Sequence, residues 1–282
     1  MRKVLTMSKT PIIALVTDFS LNDPYIGIMK GVILEINPNV IIVDLAHDLP
    51  KFNINFAAFV LLTSYKYFPK GTIFVCVIDP GVGTKREAII IKTKNYIFVG
   101  PNNGVMSLAA LEDGIIEIRK IENKEYMLKR VSYTFHGRDI FSPAAAWISR
   151  GVPIETFGRI LDRKDFVSIK ISKPVIEDGV FVAEALAIDG FGNIITNIRG
   201  GDFLKTEKFG YRYCIIVNGK NYFARFARTY GDAQKNETIL LIGSHEYVEI
   251  AVNMGSAAER LGINIGDKIK IIRLELCKNP KI

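Results

Sequence analysis

The 282-residue sequence is poor in cysteine and histidine, holds one tryptophan and lacks any long apolar run. Its three cysteines, Cys76, Cys214 and Cys277, are odd in number and widely spaced, which excludes a disulfide framework or a paired-thiolate metal site. Two of them lie in apolar, strand-like runs, the pattern of reduced, buried thiols in a cytoplasmic protein. No stretch approaches the roughly 18–20 apolar residues of a membrane span. Residues 1–16 carry a few basic side chains but no long apolar segment and no small-residue cleavage site, so no signal peptide is expected. Three histidines with no His-x-x-x-His pair argue against a two-metal hydrolase, and a metal-free site with no cofactor is expected. There is no Gly-x-Ser-x-Gly elbow for a serine nucleophile. The glycine loop at Gly81 and Gly83 lacks the Gly-Lys-Ser/Thr ending of a nucleotide P-loop.

A basic run of five or more residues is also missing. The formal charge is +8, from 37 Lys+Arg against 29 Asp+Glu. Residues 1–170 hold 22 basic and 16 acidic side chains, and residues 171–282 hold 15 and 13. The excess is dispersed, as on a solvated surface, and this weighs against nucleic acid as a partner. With 49% hydrophobic residues the chain is long enough to bury a core without staples.

The first part alternates strand and helix patterns. Apolar runs at 12–17, 40–45, 72–78, 88–92 and 96–99 read as strands, the first and third buried on both faces. Asp23-Pro24 reads as a helix cap with proline at the first helical position, followed by Ile26, Met29, Ile33 and Ile36 at helical spacing. Further helices are expected over 53–67, 103–111 and 141–149. This order implies a layered α/β domain with a mostly parallel sheet, assigned to residues 1–172. Beyond Lys173-Pro174 come short strands at 179–188, 212–217, 221–226, 238–242, 247–252 and 268–273, with a hairpin signal at Asn218-Gly219. Residues 173–282 therefore read as a smaller all-β, barrel-like domain.

Ligands of open α/β sheets bind beyond the carboxyl ends of the strands. Polar clusters stand at those ends: 17–25, His47-Asp48, 79–86, 100–104 and 134–139. Each has an ordinary reading. Asp18 can be a turn aspartate, Asp23 a helix cap, His47 a satisfied structural histidine, and 102–104 a turn. His136 is harder to assign to structure alone, because Gly137 removes bulk beside it, as suits a close ligand. In the second domain Asp189, Phe191 and Asn193 offer a carboxylate, a ring and an amide suited to a purine or ribose. A glycine-rich turn is the plain alternative.

As an ordered set these motifs resemble the S-adenosyl-L-methionine hydrolases (adenosine-forming), or SAM hydroxide adenosyltransferases, relatives of fluorinase and chlorinase. The elements are Thr17-Asp18-Phe19 with Asp23-Pro24-Tyr25, Asp79-Pro80-Gly81-Val82-Gly83-Thr84 with Arg86, Gly100-Pro101-Asn102-Asn103-Gly104, Thr134-Phe135-His136-Gly137-Arg138-Asp139, Asp189 with Phe191-Gly192-Asn193, and Glu249-Ile250-Ala251-Val252-Asn253. The resemblance implies an N-terminal α/β domain, a C-terminal barrel-like domain and a homotrimer with sites at subunit interfaces. It implies that Asp79, Arg86 and His136 form a triad that holds the attacking water; the acid and histidine positions differ in the halogenating relatives. It assigns Asp18 to the ribose hydroxyls, Asp23, Asp189 and Ser244 to the methionine end, Asn193 to adenine, and Phe52 to an aromatic wall. An arginine that follows Ser244 in the halogenating relatives is His245 here.

The implied reaction is in-line attack of water on the ribose 5′-carbon, with methionine leaving as a neutral thioether that needs no general acid. Two other readings stay open: a halide transferase on the same scaffold, which would form 5′-halo-adenosine, and a non-catalytic nucleoside- or nucleic-acid-binding protein, marked by salt-sensitive binding without turnover. S-Adenosylmethionine is a net cation, so the expected site is an acidic pocket within a basic protein.

Overall fold

The computed structural model describes residues 10–277. The expectation of no signal peptide rests in part on residues 1–9, which lie outside the described residues. The chain divides into two compact units between Ile169 and Lys170.

The first unit is built on a six-stranded sheet. Its strands are β1 (Ile12–Thr17), β2 (Ile41–Ala46), β3 (Ile73–Val77), β4 (Ala88–Thr93), β5 (Ile97–Pro101) and β6 (Ile115–Lys120), in the order β2-β1-β3-β5-β4-β6. Strands β2, β1, β3 and β5 pair in parallel, and β4 runs antiparallel to both β5 and β6. The central strands β1 and β3 are apolar up to the terminal Thr17 of β1 because both of their faces are covered. Helices α1 (Tyr25–Ile36), α2 (Ile54–Ser64), α3 (Ser107–Asp113) and α4 (Ser142–Ser149) complete the unit. Ile26, Met29 and Ile33 of α1 share one core with Ile13, Leu15, Val75 and Val77 of the sheet and Ala144 and Ala145 of α4. The alanines leave room for α1 at close range. Each large aliphatic side chain buried here contributes about 1.5–3 kcal/mol relative to exposure.

Helix α1 corrects one expectation. It starts at Tyr25, with Pro24 at the cap and no side-chain cap bond. Asp23 is exposed, and its N–H closes a turn onto the Ser20 carbonyl at 3.1 Å.

The antiparallel β4 decides what gathers at one sheet edge. Ala88 pairs with Pro101, so the start of β4 meets the end of β5. Residues after β1, β3 and β5, and those just before β4, therefore share that edge.

The second unit contains β7 (Val175–Glu177), β8 (Val180–Ile188), β9 (Ile194–Arg199), β10 (Arg212–Val217), β11 (Lys220–Phe226), β12 (Thr238–Ile242), β13 (Tyr247–Val252) and β14 (Lys268–Arg273). Pairing of β14 with β8 closes seven of them, β8-β14-β10-β11-β12-β13-β9, into a barrel, and β7 adds to β8. Closure removes the sheet edges. Strand β8 alternates buried and half-buried residues along its length, the period-2 pattern of a barrel wall. Phe181, Phe203, Tyr213 and Phe226 fill the interior. Asn218 and Gly219 both adopt positive φ, 49° and 73°, the geometry of the tight turn that joins β10 to β11.

Candidate active site

Asp79 lies two residues beyond β3, and Arg86 two residues before β4, so the sheet edge brings them face to face. Arg86 Nε donates to Asp79 Oδ1 at 2.9 Å and Oδ2 at 3.0 Å, and its Nη2 donates to Oδ2 as well. The Asp79 and Arg86 side chains are 5% and 11% exposed. The same Nη2 lies 2.7 Å from His136 Nδ1. A guanidinium has no acceptor, so His136 Nδ1 must accept, which places the ring proton on Nε2. Burial, and then the Arg86 charge, hold the His136 pKa below its ordinary 6.5, which favours the neutral ring. The Arg86 guanidinium also sits 5.2 Å from the centre of the Phe141 ring.

His136 is aimed by an unusual backbone. It immediately precedes a five-residue π-helical turn, Gly137–Phe141, which runs into α4. Such turns recur at functional sites because they re-aim side chains without ending a helix. Asp139, fully buried within this turn, fixes it: Oδ1 accepts from Arg138 Nε at 2.6 Å and Oδ2 from the Ser132 N–H at 2.8 Å. Gly137 is closely packed and also borders the cleft that His136 lines. A Cβ there would lie 3.2–3.3 Å from Val77, Met29 and Phe135. The Gly81–Gly83 loop is likewise shaped by packing, since a Cβ on Gly83 would stand 2.2 Å from the Tyr133 carbonyl oxygen.

Asp18, directly after β1, is buried. Its Oδ2 accepts the Phe52 N–H at 2.9 Å, and Lys51 Nζ donates to its main-chain oxygen. Phe52 has φ 62° and is 69% exposed. A left-handed backbone and an exposed ring are both unfavourable for phenylalanine, a combination that marks functional positions. Asp18, Phe52, Asp79, Phe135 and His136 line one cleft of about 160 Å³.

The barrel carries a separate cleft of about 470 Å³, lined by Asp189, Phe191, Asn193, Tyr230, Asn253 and Met254 among others. Asp189 Oδ1 accepts the N–H groups of Phe191 and Asn193, and Oδ2 accepts from Asn193 Nδ2, all at 2.9 Å. The turn thus presents the Phe191 ring, 82% exposed, beside a fixed amide and carboxylate. Tyr230 donates to buried Glu249 at 2.6 Å, and Glu249 faces His245 Nε2 at 3.2 Å. Burial, reinforced by Glu249, pushes the Tyr230 phenol pKa up, so it remains a donor. Ser244 is exposed in the turn between β12 and β13. Among the described residues, no group of three or more His, Cys, Asp or Glu side chains is placed to hold a metal ion.

Residues 13–158 match the SAM hydroxide adenosyltransferase N-terminal domain, and residues 183–270 match the C-terminal domain. The chain belongs to this family. It is 38% identical over 271 residues to the (R)-S-adenosyl-L-methionine hydrolase of Methanocaldococcus jannaschii, covering 93% of this chain and 95% of that one. A fluorinase of Nocardia brasiliensis is 25% identical over 294 residues, covering 94% and 98%. A crystal structure of an uncharacterized conserved protein from Thermotoga maritima superposes with a TM-score of 0.88 at 41% identity, covering 93% of this chain and all of that one.

Within the SAM hydroxide adenosyltransferase fold, Asp79 and His136 meet Asp18 and Phe52 in one cleft, with Arg86 bonded to both Asp79 and His136, and Asp189 meets Asn193 in the other. Asp23 and Ser244 stand apart as exposed turn residues. Sequence reasoning assigned no role to Thr17, Asp139, Tyr230 or Glu249. Glu249 carried a signal nonetheless: an acid inside the buried run Tyr247–Val252 requires partners.

Proposed function

We propose that the protein hydrolyses S-adenosyl-L-methionine to adenosine and L-methionine, by attack of a held water on the ribose 5′-carbon. The observation that carries this reading is the Asp79–Arg86–His136 assembly, two of whose members, Asp79 and His136, line the cleft that also holds Asp18. Asp79 accepts a hydrogen bond from the water, and Nε2–H of His136 donates to its oxygen. The remaining lone pair then points at carbon. As the new C–O bond forms, the C–S bond breaks and its electron pair returns to sulfur, giving a neutral thioether. The water proton passes to Asp79 and then to solvent. Arg86 keeps Asp79 oriented for that transfer. No step calls on a metal or cofactor, because the sulfonium supplies the electrophile and the leaving group together. Orientation and proton transfer carry the acceleration.

Asp18 holds the ribose hydroxyls, Phe52 walls the ligand, and Asn193 contacts adenine. Asp23, Asp189 and Ser244 serve the methionine end. These groups are divided between the two units, and the site is completed in a homotrimer, where the first unit of one subunit adjoins the second unit of the next. The 160 Å³ cleft of the first unit is small for the whole substrate, which supports a shared site. The three free, buried thiols suit a reducing cytoplasm.

The halide-transferring alternative draws on the fluorinase relatives, and the acid–guanidinium–imidazole assembly favours water over halide. Incubation with S-adenosylmethionine and added fluoride or chloride tests the choice: adenosine is the expected product, and 5′-halo-adenosine overturns the reading.

A further inference from the structure

A second hydrogen-bonded chain lies behind the cleft and is not used by the chemistry. Lys30 Nζ donates to Asp44 Oδ2 at 2.6 Å, Asp44 Oδ1 lies 2.9 Å from His47 Nε2, and His47 Nδ1 lies 2.8 Å from Thr17 Oγ1. Thr17 Oγ1 in turn accepts the Phe19 N–H at 3.2 Å. The carboxylate can only accept, so the proton on Nε2 faces Asp44, and Nδ1 is free to accept from the Thr17 hydroxyl. Each group in the chain then has its partner. Thr17 is fully buried and the His47 side chain is 3% exposed, so neither is available to attack a substrate.

The chain ends beside Asp18. Pairing of β1 with β2 slips by one residue, Leu15 opposite Asp44 but Val16 opposite Ala46, and the extra residue turns the end of β2 toward β1. A bulge re-aims the side chains next to it, and His47 follows at once. The loop after β2 is then stitched to the loop after β1 at four further points. The Asp48 N–H donates to the Phe19 carbonyl at 3.0 Å, and the Leu21 N–H donates to Asp48 Oδ2 at 3.1 Å. Lys51 reaches the Asp18 carbonyl, and the Phe52 N–H reaches the Asp18 carboxylate. Asp48 and Phe52 both adopt positive φ, 54° and 62°, which the stitching sustains.

We propose that His47, acting through Thr17, sets the position of the Asp18 carboxylate and is a positioning residue for ribose recognition. The proposal rests on the reading that Asp18 holds the ribose hydroxyls. His47 touches no reacting atom. It fixes the backbone from which Asp18 projects.

The test compares binding of adenosine and 2′-deoxyadenosine by calorimetry, because a merely structural residue would alter both affinities alike. The wild-type protein is expected to favour adenosine by about tenfold, the scale of one charge-assisted hydrogen bond. Asp18→Asn, which loses the carboxylate charge but keeps an acceptor, cuts that preference to about threefold or less. Thr17→Val, which keeps the side-chain shape, and His47→Phe are expected to cut it to about threefold or less, and His47→Gln, whose amide can accept from Thr17 and donate to Asp44, restores part of it. Full preference in both Thr17→Val and His47→Phe, with the reduced preference in Asp18→Asn, overturns the positioning role alone. Full preference in Asp18→Asn overturns the ribose reading, and the inference with it.

Discussion

Arg86 grips Asp79 at two points, with Nε on both carboxylate oxygens and Nη2 on one of them, while that same Nη2 reaches His136 at 2.7 Å. One guanidinium therefore sets the geometry of both the acid and the imidazole. Arg86→Met leaves a buried carboxylate unpaired, and the expected cost is about 3 kcal/mol of stability, read as a lower denaturant midpoint together with loss of turnover. Arg86→Lys retains the charge but not the fork. It should regain stability before it regains rate.

Asp79→Ala and His136→Ala remove the groups that hold the water and leave those assigned to the substrate. Turnover should fall by about 10²–10⁴-fold, with adenosine affinity close to wild type by calorimetry. Full activity in either variant contradicts the assignment.

The pH profile follows from the position of His136. Its pKa is lowered by burial and by Arg86, so the ring stays neutral below the ordinary imidazole value. Once protonated, Nδ1 can no longer accept from Arg86. The acid limb of kcat/KM should therefore lie below pH 6.5 and vanish in His136→Gln. The unfolded chain takes up this proton more readily than the folded one, so stability should fall as pH drops from 6.5 through the lower folded value. An acid limb at or above pH 6.5 contradicts this account.

Gly83 tests whether the glycine loop is a packing device. Its φ is 74°, and the Tyr133 carbonyl oxygen stands 2.2 Å from the place a Cβ would take, which leaves no room for alanine. Gly83→Ala should destabilise by about 1–3 kcal/mol and lower kcat by displacing the segment that leads to His136. Near-wild-type stability and rate would contradict it.

Much of the architecture was legible in the sequence. The continuous apolar runs of β1 and β3 marked a sheet covered on both faces, and Asn218-Gly219 marked the hairpin of the barrel. Strand β6 was not legible, because Glu117, Arg119 and Lys120 break up its apolar signal at the sheet edge. Strand β9 was not legible either, because Thr196 and Asn197 interrupt its apolar run. The structure buries both with partners: Thr196 donates to the Val248 carbonyl, and Asn197 bridges Glu184 and Ser172. The three residues of the water-holding site were legible only as parts of separate motifs. Their meeting depends on β4 running against its neighbours, a fact of topology. The Thr17–His47 contact depends on a one-residue bulge that leaves no mark in hydropathy.

The most direct test is incubation of the protein with S-adenosylmethionine in heavy-oxygen water, with mass analysis of both products. The account predicts adenosine labelled at its 5′-oxygen and unlabelled methionine, because water attacks carbon and the C–S bond breaks. Unlabelled adenosine, label in methionine, or no cleavage would contradict it.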